Sequence, residues 1–196
     1  MGKRYIIIIG AVLLNLAACS SFKSDHDKGL EEMDNGNLIN AINLFTKSIE
    51  ANKDLASSYN HRGLSYLNMG DFSLSIDDFT SAIELEEDAV IFHNRARAYL
   101  EMGLTENAFA DLNMAGKLNE TDLELLLSTG YGMLDLGYHI EAERVFTKAL
   151  IIDTESMEAF NGRGNVRMEL GDNEGAERDW NRAIEISRKT RNNQEI

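Results

Sequence analysis

The sequence predicts an all-α solenoid of about five stacked helix pairs, and three observations carry that prediction. The first is periodicity. A skeleton of Gly63, Tyr66, Gly70, Phe79 and Ala82, in the stretch from Tyr59 to Ile83, returns around Ala96-Tyr99-Gly103-Ala115, Gly130-Gly137-Ala142-Phe146-Ala149 and Gly164-Gly171-Ala176-Trp180-Ala183. A weaker copy stands at Gly29-Gly36-Ala41-Phe45. The copies begin at Gly29, Gly63, Ala96, Gly130 and Gly164, so they step by 34, 33, 34 and 34 residues. A fixed period of that size marks stacked repeats. The second observation is the absence of proline, the residue that most disrupts a helix interior. The third is a short turn such as Met69-Gly70-Asp71 within each copy, dividing it into two helices.

Each helix pair needs two things. A small residue (Gly63, Ala96, Gly130 or Gly164) lets the second helix approach the first, and a large one (Phe45, Phe79, Leu112, Phe146 or Trp180) fills the space between them. Ala82, Ala115, Ala149 and Ala183 leave room for the next repeat. One pair cannot bury its apolar face alone, so stability comes from stacking. These residues are core rather than site.

In period and fixed positions the chain resembles the tetratricopeptide repeats. The resemblance implies a right-handed superhelix over residues 22–190, with repeats at about 22–55, 56–88, 89–122, 123–156 and 157–190. Family members commonly carry proline after the second helix. Here Lys53, Glu87, Glu120, Thr154 and Arg188 stand there, so the turns between repeats lose that rigidity. The first repeat is atypical, with Asp25 where Tyr59, Phe92 and Phe160 supply a ring. Residues 191–196 read as a frayed tail.

Residues 1–18 belong to another class. Lys3 and Arg4 precede an apolar run from Tyr5 to Leu14, and Leu16-Ala17-Ala18-Cys19 follows. This is the layout of a secretory signal peptide, and the run is short of the ~20 residues of a membrane-spanning helix. Leu16 to Cys19 also resembles the lipobox of bacterial lipoproteins; the other reading is an ordinary cleavage site that contains a cysteine. The resemblance implies that Cys19 is diacylglycerol-modified and becomes the first mature residue, with residues 19–21 as a short tether. Acyl chains on Cys19 would then hold the array near a bilayer. By the same resemblance, Ser20, where an aspartate would favour inner-membrane retention, implies the outer membrane, facing the periplasm, rather than the inner membrane. Cys19 is the one cysteine, so no disulfide framework exists.

The chain carries a net charge of −14, about −16 once Lys3 and Arg4 are set aside. Such a surface repels phosphate backbones, which argues against nucleic-acid binding. His26, His61, His93 and His139 fall in separate repeats without the helical spacing of a metal site. Gly162-Arg163-Gly164 and Gly130-Tyr131-Gly132 lie inside first helices and follow no strand, so they are not phosphate cradles. No catalytic residue, metal or cofactor is expected, and an enzyme is the least supported class.

Two constellations remain. Arg62 and Asp78, Arg95 and Asp111, and Arg163 and Asp179 share a separation of sixteen residues. The first copy has Lys28 with Leu44, and the fourth has Thr129 with Val145. Joint presence and absence predicts a salt bridge within each repeat that has it. Asn60 to Gly63 also resembles an Asn-x-Arg-Gly subclass of bacterial tetratricopeptide proteins.

The second constellation is a stripe on each first helix. Its members are Asn60-Leu64-Asn68, His93-Arg97-Glu101, Leu127-Tyr131-Asp135 and Asn161-Asn165-Glu169. Spacing by four places each trio on one face, off the packed side, with the Tyr131 ring expected outside the core. By the family resemblance this face lines a concave groove for a protein or peptide partner. With Arg97 its one basic group, it lacks the family's lysine-rich clamp. The expectation is a lipid-anchored scaffold or adaptor of a bacterial cell envelope. The alternative is an assembly factor or pilot lipoprotein for a multi-subunit machine such as a pilus, secretion or outer-membrane assembly apparatus. The last helix, which carries its own polar face, could also serve self-association through the terminal repeat.

Overall fold

The computed structural model describes residues 23–119 and 121–194. The leader, Cys19 and the 19–21 tether lie outside the described residues, as do the last two residues of the tail. Ten helices follow in order: α1 (Asp25–Asp34), α2 (Leu38–Glu50), α3 (Leu55–Met69), α4 (Phe72–Leu85), α5 (Ala89–Glu101), α6 (Thr105–Leu118), α7 (Leu123–Asp135), α8 (His139–Ile152), α9 (Met157–Glu169) and α10 (Asn173–Gln194). Among the described residues there is no strand. Helix α10 continues through residues 191–194, where the sequence suggested fraying.

Every helix packs on the next in sequence. First helices of successive repeats also touch in series, α1 on α3, α3 on α5, α5 on α7 and α7 on α9. Their close approach puts the odd-numbered helices on the inner face of the solenoid.

Local chemistry sets the element ends. Ser24 caps α1 in a capping box with Asp27, whose amide donates to the serine Oγ at 3.0 Å. Asp88, Asp122 and Ser156 cap α5, α7 and α9 in the same role. These caps fix the last three turns between repeats without proline, whereas Asp54 before α3 makes no side-chain cap. Inside each repeat a glycine closes the turn at a φ between 71° and 85°, from Gly36 to Gly171, a conformation that side chains with a Cβ resist. At the start of α6 and α8 the capping position holds Leu104 and Tyr138, which offer no side-chain cap.

Four first helices end on a carboxylate: Asp34, Glu101, Asp135 and Glu169. A helix C-terminus already carries partial negative charge, so each acid opposes the dipole at a cost of roughly 0.3–1 kcal/mol.

The core is a line of large side chains, one in each of the first four repeats, while Trp180 of the fifth, expected to be core, is only half-buried. Phe45, Phe79 and Phe146 are fully buried, and Leu112 nearly so. Phe146 shows what holds the stack together. A Cβ placed on Gly130 would lie 2.9 Å from its ring, and one on Gly162, in the following repeat, only 2.4 Å away. The ring is therefore gripped by glycines from two repeats.

Candidate functional site: an inner face laced by side-chain clasps

The three arginine–aspartate pairs meet. Arg62 donates from Nε and Nη2 to the two carboxylate oxygens of Asp78 at 2.8 and 2.7 Å. Arg95 and Asp111 repeat this at 2.7 and 2.8 Å, and Arg163 and Asp179 at 2.8 and 2.7 Å. All three aspartates are buried. The fork-to-fork geometry fixes the angle between the two helices as well as joining them. Each guanidinium also lies over an aromatic ring three residues earlier: Tyr59, Phe92 or Phe160, at 5.5–5.7 Å. Hydrogen bonding to the aspartate raises the pKa of Arg62 and of Arg95, against the opposing effect of burial.

The structure adds a contact that sequence reasoning missed. The remaining guanidinium nitrogen reaches back to a threonine of the preceding repeat: Arg62 to Thr46 (2.9 Å), Arg95 to Thr80 (3.0 Å) and Arg163 to Thr147 (3.4 Å). Each arginine thus joins three helices from two repeats. The signal was present, because Thr46, Thr80 and Thr147 precede clasped repeats and Asn113 stands in the corresponding place before the unclasped fourth. Arg167 was also missed. It donates to Glu143 and to Asp179, both at 2.8 Å, and so reinforces the junction of repeats four and five.

The junction of repeats three and four is built differently. Thr129 and Val145 replace the ion pair; both are buried, and the Thr129 hydroxyl has no partner among the described residues. The polar ties of this junction include Lys148 of α8, whose ammonium donates to the Asn119 carbonyl and, at 3.1 Å, to the Gly116 carbonyl at the end of α6.

The inner-face stripes divide into groups used by the fold and groups left over. Asn60 accepts from Asn94 of the next repeat at 3.2 Å. His93 pairs with Ser128 at 2.7 Å, and Asn165 accepts from the Trp180 indole at 3.2 Å. Tyr131 departs from expectation. Its ring is half-buried and meets Phe146 edge-on at 5.0 Å, while its hydroxyl donates to the Glu158 carbonyl at 3.1 Å. It sits against the core because α9 closes over its outer side, something a face count on α7 alone could not show. Leu64, Leu127 and Asn161 are half-buried, whereas Asn68, Arg97, Glu101 and Asp135 are exposed. Arg97 makes no ion pair among the described residues.

The histidines are less separate than their sequence positions suggest. His26 and His61 pack edge-to-face at 5.2 Å and share the Ser57 hydroxyl. Buried His26 also bonds Ser58 at 2.9 Å. No group of three or more potential metal ligands gathers anywhere among the described residues.

Burial pushes the His93 imidazole from the usual 6.5 down to about 4, and the Arg97 charge adds to the effect. Its folded pKa is the lower one, so below pH 6.5 the unfolded chain takes up the proton first. Stability from neutral His93 is therefore lost as pH falls from 6.5 to about 4. With allowance for solvent on the open side of the ring, the loss should be on the order of 2 kcal/mol. Urea unfolding across that range should show a shallower pH slope for His93→Gln than for the wild type.

These features define a class: an all-helical repeat solenoid with a laterally cross-linked inner face. By fold it is a tetratricopeptide-repeat solenoid, and residues 56–88 match the tetratricopeptide repeat family model. Human tetratricopeptide repeat protein 6 is 28% identical over 147 residues, which is 75% of this chain but 22% of that protein. The chain thus spans about a fifth of this relative. A crystal structure of MamA superposes with a TM-score of 0.70 at 19% identity, covering 84% of this chain and 96% of that one. YrrB, described as a tetratricopeptide-repeat protein with an unusual peptide-binding site, gives 0.66 at 21% identity over 83% and 84% of the two chains. A tetratricopeptide repeat protein from Parabacteroides merdae gives 0.67 at 25% identity over 82% and 64%.

Proposed function

We propose that the chain is a lipid-anchored scaffold of a bacterial envelope that grips a protein or peptide partner along its inner face. The observation that carries the reading is the set of inner-face groups the fold leaves open or half-open. Asn68 offers an amide and Arg97, Glu101 and Asp135 offer charge, all exposed, while Leu64, Leu127 and Asn161 keep a half-open side although both leucines also pack on the core. Arginine and apolar anchors of this kind dominate binding energy when a partner covers them. The described peptide-binding site of YrrB supports this use of the fold. The anchor rests on Leu16-Ala17-Ala18-Cys19 alone.

Pull-down from detergent-solubilised membranes should recover a stable partner. The double substitution Leu64→Ser and Arg97→Glu should weaken its binding by more than about 1 kcal/mol with unchanged helicity. Retained affinity would move the binding surface elsewhere. Cys19→Ser should leave an unprocessed or mislocalised chain; normal acylation and fractionation would refute the anchor. Recovery of several subunits of one envelope machine would favour a role in assembling that machine.

A further inference from the structure

The edge formed by the turns inside each repeat carries a second, apolar surface. Met69, Leu74, Met102, Leu104, Ile140 and Leu170 are each 40–56% exposed there. Neighbouring turns are joined along part of this ridge. Met69 shares a groove with Leu38 and Ile39 of the preceding turn, and Met102 shares one with Phe72 and Leu74. Across the next junction Phe109 stacks on Tyr138 at 3.5 Å between ring centroids. Leu104 and Tyr138 occupy helix-capping positions where Asn37 and Asp71 stand in earlier repeats. Neither Asn37 nor Asp71 makes a side-chain cap, so Leu104 and Tyr138 put apolar surface at these positions without the loss of a capping bond.

The charge beside this ridge selects the occupant. Glu101 lies between the exposed Leu100 and Met102 and Glu169 between the exposed Met168 and Leu170, while Asp135 ends α7 just before the turn that carries Tyr138 and Ile140. All three carboxylates are exposed, end their helices and make no ion pair among the described residues. A cation placed there would meet both the carboxylate and the last-turn carbonyls of the helix. An apolar strip flanked by such groups complements an amphipathic helix with basic flanks.

We propose that the intra-repeat turn edge docks a basic amphipathic segment of a partner protein. The surface is separate from the inner groove, sharing only the lip residues Glu101, Asp135 and Glu169 with it. It also lies at the far end of α1 from its Ser24 cap.

The test uses the full chain and a fluorescein-labelled 18-residue synthetic helix with leucine on one face and lysine beside it. A second probe has every lysine replaced by glutamate. Anisotropy should show binding of the basic helix only, weakening as salt rises. The triple change Glu101→Lys, Asp135→Lys and Glu169→Lys should weaken it at least tenfold. So should Met102→Ser, Leu104→Ser and Ile140→Ser together. Lysines at those helix ends suit the dipole better, so the charge-reversed chain retains its fold. Glu84→Lys, Glu86→Lys and Glu87→Lys, toward the opposite edge, should leave affinity within twofold, as should Leu64→Ser in the groove.

Equal loss from both charge triples would reduce the effect to general attraction by an acidic protein and overturn the proposal. Binding of the acidic helix as well as the basic one would do the same. Loss with Leu64→Ser would overturn it in favour of the groove. Self-association that the turn-edge changes abolish in sedimentation would make a second copy the occupant and reject a partner segment.

Discussion

Phe146→Ala should cost about 4 kcal/mol, the largest effect expected from a single change outside the clasps. The ring is fully buried, and no neighbour can readily fill the void. Gly130 and Gly162, which face it, carry no side chain to move inward. Tyr131, which meets it edge-on, is held by its hydrogen bond to the Glu158 carbonyl. The loss should fall on the junction of repeats four and five as much as within repeat four, because Gly162 belongs to the next repeat. Equilibrium urea unfolding measures the total. Destabilisation below about 2 kcal/mol would mean that α8 and α9 collapse together, against the rigid stacking described above.

The second large effect concerns Arg95 and Asp111. Removing one member leaves a charge with little access to water, since the Arg95 and Asp111 side chains are 16% and 6% exposed. Arg95→Thr or Asp111→Val alone should cost about 3 kcal/mol. Made together, the two changes reproduce the Thr129 and Val145 arrangement of the fourth repeat. The double variant should then be markedly more stable than the sum of the single losses predicts. A double-mutant cycle reads this directly. Additive costs would show that the pair is two independent charges, despite the 2.7 and 2.8 Å contacts.

The helix pairs were legible in the sequence because the residues that make them are local and repeated. Gly63, Gly70, Phe79 and Ala82 each answer one steric demand, and five phased copies leave little ambiguity about the fold. The separation of sixteen between arginine and aspartate was legible for the same reason. The threonine contacts were not sought, since they cross from one repeat to the one before. The inner face was read less well. Counting along α7 placed Tyr131 on an open surface, but whether a side chain is covered depends on the neighbouring helix, here α9. Asn60 and His93 were likewise drawn into bonds with Asn94 and Ser128 of the following repeats. In a stack, the lateral neighbour decides which groups remain for a partner.

The unclasped junction between α6 and α7 bears on how the molecule comes apart. In a nearest-neighbour stack, cooperativity passes only through interfaces, so the weakest interface sets the boundary between units that open together. Native-state hydrogen exchange should therefore divide the amides into two sets. Those of α1–α6 should share one opening free energy and those of α7–α10 another, with the break at Asn119 to Asp122. Installing the missing guanidinium and carboxylate through Thr129→Arg and Val145→Asp, with Asn113→Thr, should merge the two sets into one.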